Sequence, residues 1–444
     1  MRVPKYKVIV DAFAAKIRGG QWPAGTRLPT HRRLAADEGI AVVTASRVYA
    51  ELEAMGLVSC EQGRGTFVRD LAAADDGADE RAVAADAVDL SFNSPSVPGQ
   101  ADLLRRALRD LATSGDLDAL LRYQPHRGRA DDREAVARYL RRRGLDTGRE
   151  RVLIVNGAQH GLAVTAMALF RPGDVVAVDA LTYPGFRVLA RTLGLELAPL
   201  PATGEGPDLD ALDRLCRGRR VCAVYTMPTL HNPLGWVLGG ESRARLVSLA
   251  RRHGLTLVED ASYAYLAEDA PPPLAMLAPE VTVHVSGLSK SVATGLRIGF
   301  VTAPVPLVPD LERAVRATTW NTPALTAAIA RRWLDDGTVD RLEARKREDA
   351  RARQAVASEV LAGLSHIGHP ASYFRWLPLG PDTRPDRIVA ALARRRVAVS
   401  TAEPFATTPA VPRALRLALG SVGLGELRTA LEAVREEVET DARR

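Results

Sequence analysis

Cysteine is scarce in this chain. Cys60, Cys216 and Cys222 are the only three in 444 residues, and they lack the close spacing of metal-binding or redox pairs. A disulfide framework and a thiolate metal centre are thereby excluded, and reduced thiols in the cytoplasm are expected. Long apolar runs are missing too. No stretch approaches the ~20 residues that cross a bilayer, and Met1-Arg2-Val3-Pro4-Lys5 does not open a signal peptide. Histidines number only eight; of these His160, His253, His284 and His369 show no metal-ligand spacing and read as surface or hydrogen-bonded core residues.

What the chain does have is length and an uneven distribution of charge. At 444 residues it exceeds one ordinary core, so two or three domains are expected. A net charge of +7 hints at polyanionic partners. Residues 1–69 are basic, whereas residues 71–89 are acidic and Ala-rich, a composition that cannot build a core and reads as a linker. Arg141–Arg143, Arg394–Arg396 and the charge-dense stretch Arg341–Arg353 read as solvated helix faces.

Before the linker, Tyr6, Ile9, Val10, Phe13 and Ile17 recur at helical spacing, and Gly19-Gly20 end the run. A cap at Thr30 predicts a short helix from Arg32 to Asp37, broken at Gly39, and a second helix from Val43 to Met55. Two short β runs follow, around Leu57–Cys60 and Gly65–Arg69. Helix, helix-turn-helix and hairpin in this order form a winged helix-turn-helix, whose second helix enters the major groove of DNA. The segment resembles the GntR family of bacterial regulators through Gly25–Arg32, Leu34, Ala35, Thr44, Tyr49, Leu52 and Gly63–Val68. The resemblance implies double-stranded DNA as partner and Arg27, Arg32, Thr44, Arg47 and Arg64 as contact residues. Ala41-Val42 stand where that family often opens its recognition helix with Ser-Arg.

After the linker, apolar runs alternate with helix-like stretches: Val152–Val155, Val175–Val178, Val221–Tyr225, Leu255–Glu259 and Val281–Val285. This predicts an α/β domain with a mostly parallel sheet covered on both faces, whose ligands bind beyond the carboxyl ends of the strands. Each run is followed by something chemically specialised. Asn156-Gly157-Ala158-Gln159 opens a helix and could cradle a phosphate on its N–H groups. Thr182-Tyr183-Pro184 offers a ring for stacking, and His231-Asn232-Pro233-Leu234-Gly235 an amide. Glu259-Asp260-Ala261-Ser262-Tyr263 offers a carboxylate and a phenol. The last run leads to Ser289-Lys290 and, seven residues on, Arg297, an amine beside a guanidinium suited to a phosphate.

Taken together, these motifs resemble fold-type I pyridoxal 5′-phosphate (PLP) enzymes of the aspartate aminotransferase superfamily over roughly residues 90–435. The resemblance implies that Lys290 carries PLP as a Schiff base, Asp260 partners the pyridine nitrogen, and Asn232 and Tyr263 contact the ring oxygen. It implies Tyr183 stacked on the ring, with Gly157, Ala158, Gln159, Ser289 and Arg297 around the phosphate. It further implies Tyr123 reaching the phosphate of a second subunit in a homodimer, and Arg416 clamping an effector or substrate carboxylate. Gly287 stands where a hydroxyl residue is usual, three before the lysine. A winged helix joined to such a body resembles the MocR subfamily of GntR regulators. The expected domains are 1–70 (winged helix), 71–89 (linker), 90–315 (PLP-binding large domain) and 316–444 (small α+β domain). The implied function is a PLP-dependent transcription regulator that senses PLP or its adduct with an amino acid; the alternative is an active aminotransferase.

Overall fold

The computed structural model describes residues 5–23, 25–61, 65–69 and 87–443. Arg64, Asp70 and residues 71–86 of the expected 71–89 linker lie outside the described residues. Among the described residues, no helix is long and apolar enough to cross a membrane, and no cluster of His, Cys, Asp and Glu could hold a metal ion.

Three helices, α1 (Lys5–Arg18), α2 (His31–Glu38) and α3 (Val42–Ala54), and the hairpin β1 (Val58–Glu61)–β2 (Gly65–Val68) make the N-terminal unit. Thr30 caps α2 by accepting from Arg33 N at 3.3 Å, and Gly39 ends it in the left-handed conformation that glycine adopts without strain. Val10, Phe13 and Ile17 of α1 pack with Leu34, Val48, Tyr49 and Leu52 around one small core. Each fully buried residue of this kind contributes about 1.5–3 kcal/mol.

The next described strand is β3 (Val88–Leu90). The large sheet follows, with β4 (Val152–Val155), β5 (Val175–Asp179), β6 (Glu196–Leu200), β7 (Ala223–Thr226), β8 (Thr256–Asp260), β9 (Thr282–Gly287) and β10 (Gly299–Thr302) in the order β4-β10-β9-β8-β7-β5-β6. All neighbours are parallel except those of β10, which runs antiparallel to both β9 and β4. Every residue of β4, β5, β7 and β10 is buried, as strands covered on both faces require. Helices α4 (Ala158–Leu169) and α5 (Pro184–Thr192) leave the carboxyl ends of β4 and β5. The long α6 (Thr338–Val360) leads to a smaller unit with β11 (Phe374–Pro378), α7 (Pro385–Arg394), β12 (Val397–Thr401), β13 (Ala414–Ala418) and α8 (Leu424–Ala442). Its sheet has the order β11-β13-β12-β3, so a strand from before the large domain forms its edge, parallel to β12.

One expectation is corrected. Arg341–Arg353 belongs to α6, which is not a solvated rod: Glu343, Lys346, Arg347 and Arg353 are buried. The reason is local. The three cations reach backbone carbonyls of neighbouring loops, as Arg353 does in donating to Leu419 O and Val422 O at 2.6 Å each, while Glu343 accepts from Tyr139 OH at 2.6 Å.

Candidate functional site

The single helical turn Leu288–Ser291 at the end of β9 carries Ser289 and Lys290. Lys290 is half-buried; its Nζ donates to Asn93 O at 2.6 Å and lies 4.7 Å from the centre of the Phe92 ring. Arg297 follows in the left-handed region at φ 49°. Its Nη1 donates to Ser289 Oγ (3.4 Å) and its Nη2 to Asn156 O (3.2 Å). Asn156 and Gly157 form the turn from β4 into α4, with Ala158 and Gln159 in the first turn of the helix. The Gln159 amide donates to Gly185 O at 3.0 Å, which ties α4 to the start of α5, where Tyr183 precedes Pro184. The structure thus brings Gly157, Ala158, Gln159, Tyr183, Ser289, Lys290 and Arg297 to one end of the sheet. Free N–H groups at the start of α4 and a guanidinium beside them suit a phosphate.

Asp260 ends β8 in a buried position. One oxygen accepts from Ser262 N (3.0 Å) and Ser262 Oγ (2.6 Å), the other from Tyr225 OH (3.0 Å). Burial raises its pKa, and the donors from Ser262 and Tyr225 offset only part of that rise. Tyr263 packs edge-on against Phe374, with ring centres 5.3 Å apart. Asn232 accepts from Arg416 Nη2 at 3.4 Å, and Arg416 Nη1 donates to Ser91 O at 3.1 Å. The Arg416 guanidinium sits 5.2 Å from the Phe374 ring centre and 5.9 Å from that of Phe405. Tyr123 stands on the surface, 85% exposed, beside Trp320.

In the N-terminal unit Arg27, Arg32 and Arg47 are exposed, Thr44 is half-buried, and Arg64 lies outside the described residues. The Arg47 guanidinium lies 4.2 Å from the Tyr6 ring centre. Ala41 precedes helix α3 without giving it a side-chain cap, and Val43 at its tip is 81% exposed.

Comparison with known proteins assigns both units. Residues 85–434 match the model of aminotransferase class I and II. The chain belongs to the aminotransferase class I and II family. Residues 5–68 match the bacterial regulatory proteins of the gntR family, so a GntR helix-turn-helix is fused to this aminotransferase body. The uncharacterized HTH-type transcriptional regulator YdeF of Bacillus subtilis is 28% identical over 417 residues, covering 94% of this chain and 90% of the relative. The 2-aminoadipate transaminase of Thermus thermophilus is 28% identical over 283 residues, 62% of this chain and 71% of the relative. The crystal structure of LysN, the alpha-aminoadipate aminotransferase of the same organism, superposes with a TM-score of 0.75 at 23% identity, over 83% of this chain and 97% of that one. That structure holds N-(5′-phosphopyridoxyl)-L-leucine; the likeness speaks for the fold.

An aminotransferase class I and II body implies PLP as cofactor, and the residues present fit it. Asn156 Oδ1 and Gln159 Oε1 are buried without a hydrogen-bond partner. Gly157 adopts φ 82°, and a Cβ there would lie 2.7 Å from Arg297 Nη2. Gly157→Ala is therefore expected to push Arg297 off the cradle and to strain the turn by about 1–3 kcal/mol. PLP titrations followed by absorbance should show affinity weakened by about tenfold or more.

Several features of this aminotransferase site escaped sequence reasoning. Gly299, and Gly287 in a role beyond its departure from the usual hydroxyl, let the end of β9 and β10 approach the cradle: a Cβ at 287 would lie 2.9 Å from Ile298 O, and one at 299 would lie 2.5 Å from Gly157 C. Gly287 thus has no room for the usual hydroxyl. His160 accepts from Asn156 N at 3.0 Å and meets Thr318 Oγ1 at 2.8 Å. Burial, then Arg297, lowers its pKa, which keeps the ring neutral and able to accept. Lys346 lies beneath Lys290 and donates to Pro95 O (2.9 Å), Lys290 O (3.0 Å) and Val292 O (2.8 Å). The i,i+4 position of His160 after Asn156 was a usable signal; Lys346 had none, sitting among charges of both signs.

Proposed function

We propose that this chain is a DNA-binding transcription regulator whose aminotransferase-like body holds PLP at Lys290 and responds to PLP or to an amino acid presented to it. The observation that carries the reading is the convergence of Lys290, Asp260, Arg416 and the Asn156–Arg297 cradle in a chain that begins with a GntR unit. When bound, PLP supplies an electron sink next to an amino nitrogen. The chain's own residues would do the rest. Arg297, Ser289 and the first N–H groups of α4 hold the phosphate, and the Tyr183 ring covers one face. Asp260, fixed by Tyr225 and Ser262, pairs with the ring nitrogen, while Asn232 and Tyr263 serve the ring oxygen. Arg416, anchored on Ser91 O, presents its guanidinium to a carboxylate. A second copy of this chain would receive the exposed Tyr123 at its cradle, which makes the working unit a homodimer.

On the DNA side, the exposed Arg27, Arg32 and Arg47 supply phosphate contacts. Thr44 and the exposed Val43 at the tip of α3 suit base edges, the valine a thymine methyl group. The cytoplasm is the compartment this reading assigns. Binding to duplex DNA selected from a random pool, measured with and without PLP and repeated with Lys290→Ala, tests it. PLP is expected to change the affinity of the parent chain by about fivefold or more and to leave the variant unchanged. Identical affinities throughout would sink the reading.

A second reading, an active aminotransferase, is supported by the joint presence of Lys290, Asp260 and the Arg416 clamp. Sustained conversion of an amino donor and a 2-oxo acid would establish it.

A further inference from the structure

The winged helix is docked on the small domain through ion pairs. Lys7 meets Asp382 at 3.0 Å, Arg18 meets Glu403 at 3.2 Å and Asp11 meets Arg413 at 2.5 Å. Glu51, near the carboxyl end of α3, takes Arg384 at 3.6 Å and is also paired with Arg387. The opposite tip of α3, with Val42 and Val43, stays exposed. The small domain therefore grips the recognition helix at the end away from its tip. An interface this polar resembles transient protein contacts more than a domain core, so it can shift without unfolding either unit.

Two of these pairs belong to one segment, Ala402–Arg413, and its other side is bound to the cofactor site. Thr182 N donates to Phe405 O (2.8 Å) and Thr407 N to Ala180 O (2.9 Å), so the segment extends the end of β5 as a short antiparallel bridge between Leu181 and Ala406. Thr407 Oγ1 also donates to Ala180 O at 2.9 Å. Tyr183 stands two residues after Leu181 of this bridge. Arg187, one turn into α5, donates to Glu403 O (3.0 Å) and to Pro404 O. The Phe405 ring flanks the Arg416 guanidinium. Glu403 is the pivot: its backbone carbonyl is held by the helix that follows Tyr183, and its side chain holds α1.

We propose that Ala402–Arg413 is the element that couples occupancy of the PLP site to the placement of the winged helix. The inference rests on the reading of that site given above. A ligand that settles Tyr183 or Arg416 shifts the bridge at Leu181–Ala406, and Glu403 and Arg413 carry the shift to Arg18 and Asp11 of α1. Contact alone is not coupling; the ligand must change the equilibrium at the far end.

Hydrogen exchange of the full chain with and without PLP tests this, with the visible band of bound PLP as an independent readout. PLP is expected to change exchange about threefold or more both in residues 402–413 and in α1. In the double variant Asp11→Asn/Glu403→Gln, the band and the response of 402–413 persist while the response of α1 is lost. Asp382→Asn, which removes a docking pair outside the segment, should leave the α1 response in place. An α1 response that survives in the double variant, or that is lost equally in Asp382→Asn, overturns the proposal. A band in the parent chain with no response in α1 overturns it too. Absence of the band would instead overturn the reading of the site, and this inference with it.

Discussion

Lys290→Ala is expected to bind PLP without the visible absorbance that PLP gives the parent chain, and with affinity lower by about a hundredfold, about 2.7 kcal/mol. The amine is the one group in the cradle that can form a bond to the cofactor's aldehyde. Arg297, Ser289 and the α4 amides remain, so phosphate binding persists and the loss is partial in affinity but complete in colour. Lys290 also donates to Asn93 O and lies against Phe92, so an alanine leaves a carbonyl without its donor. Lys290→Arg separates the two effects, since it restores a cation and a donor but cannot condense with an aldehyde. Absorbance spectra of both variants, titrated with PLP, should look alike. A visible band in either would remove Lys290 from the role assigned to it.

Lys346→Met is expected to be the most destabilising single change near the site. Lys346 is fully buried, and its three donated hydrogen bonds end on carbonyls of the loops that carry Lys290 and Pro95. Methionine fills the space but leaves three buried acceptors unpaired, at about 1 kcal/mol or more each. A total of about 3 kcal/mol lowers the melting temperature of the large domain by roughly 6–12 °C. The pH dependence gives a second signature. Burial and the neighbouring Lys290 push the Lys346 pKa down from 10.5 to about 7, with the Asp349 carboxylate opposing them. The folded state then binds fewer protons than the unfolded state between pH 7 and 10.5, so this group makes stability rise with pH across that window. Thermal melts from pH 6 to 10 should show that slope in the parent chain and lose it in Lys346→Met. An unchanged slope would assign the titration to another group.

Much of the fold was legible because its signals are local. The runs beginning at Val152, Val175, Val221, Leu255 and Val281 each overlap an observed strand, since a strand buried on both faces is largely apolar. The helix-turn-helix was legible through Thr30 and Gly39, which carry their structural role in their own chemistry. The motifs after those strands, from Asn156 to Arg297, were legible as a set because a parallel sheet brings its carboxyl ends together. Strand β10 was less so: Gly299–Thr302 is short and gains meaning only from lying antiparallel between β4 and β9. Tyr225 looked like part of an apolar strand until Asp260 appeared beside its hydroxyl on the next one. The buried charges of α6 read as surface because periodicity reports residue type, not the loop carbonyls that await them.

The edge strand β3 bears on whether the two units can be severed. Directly after Leu90, Ser91 O accepts from Arg416, Asn93 O from Lys290 and Pro95 O from Lys346. The polypeptide that arrives from the GntR unit is thus first a strand of the small sheet and then a wall of the candidate cofactor site. A body begun at residue 91 would expose the edge of β12 and set that wall adrift, whereas one begun at residue 87 keeps both. The reader of DNA and the holder of the cofactor part cleanly only upstream of Val88.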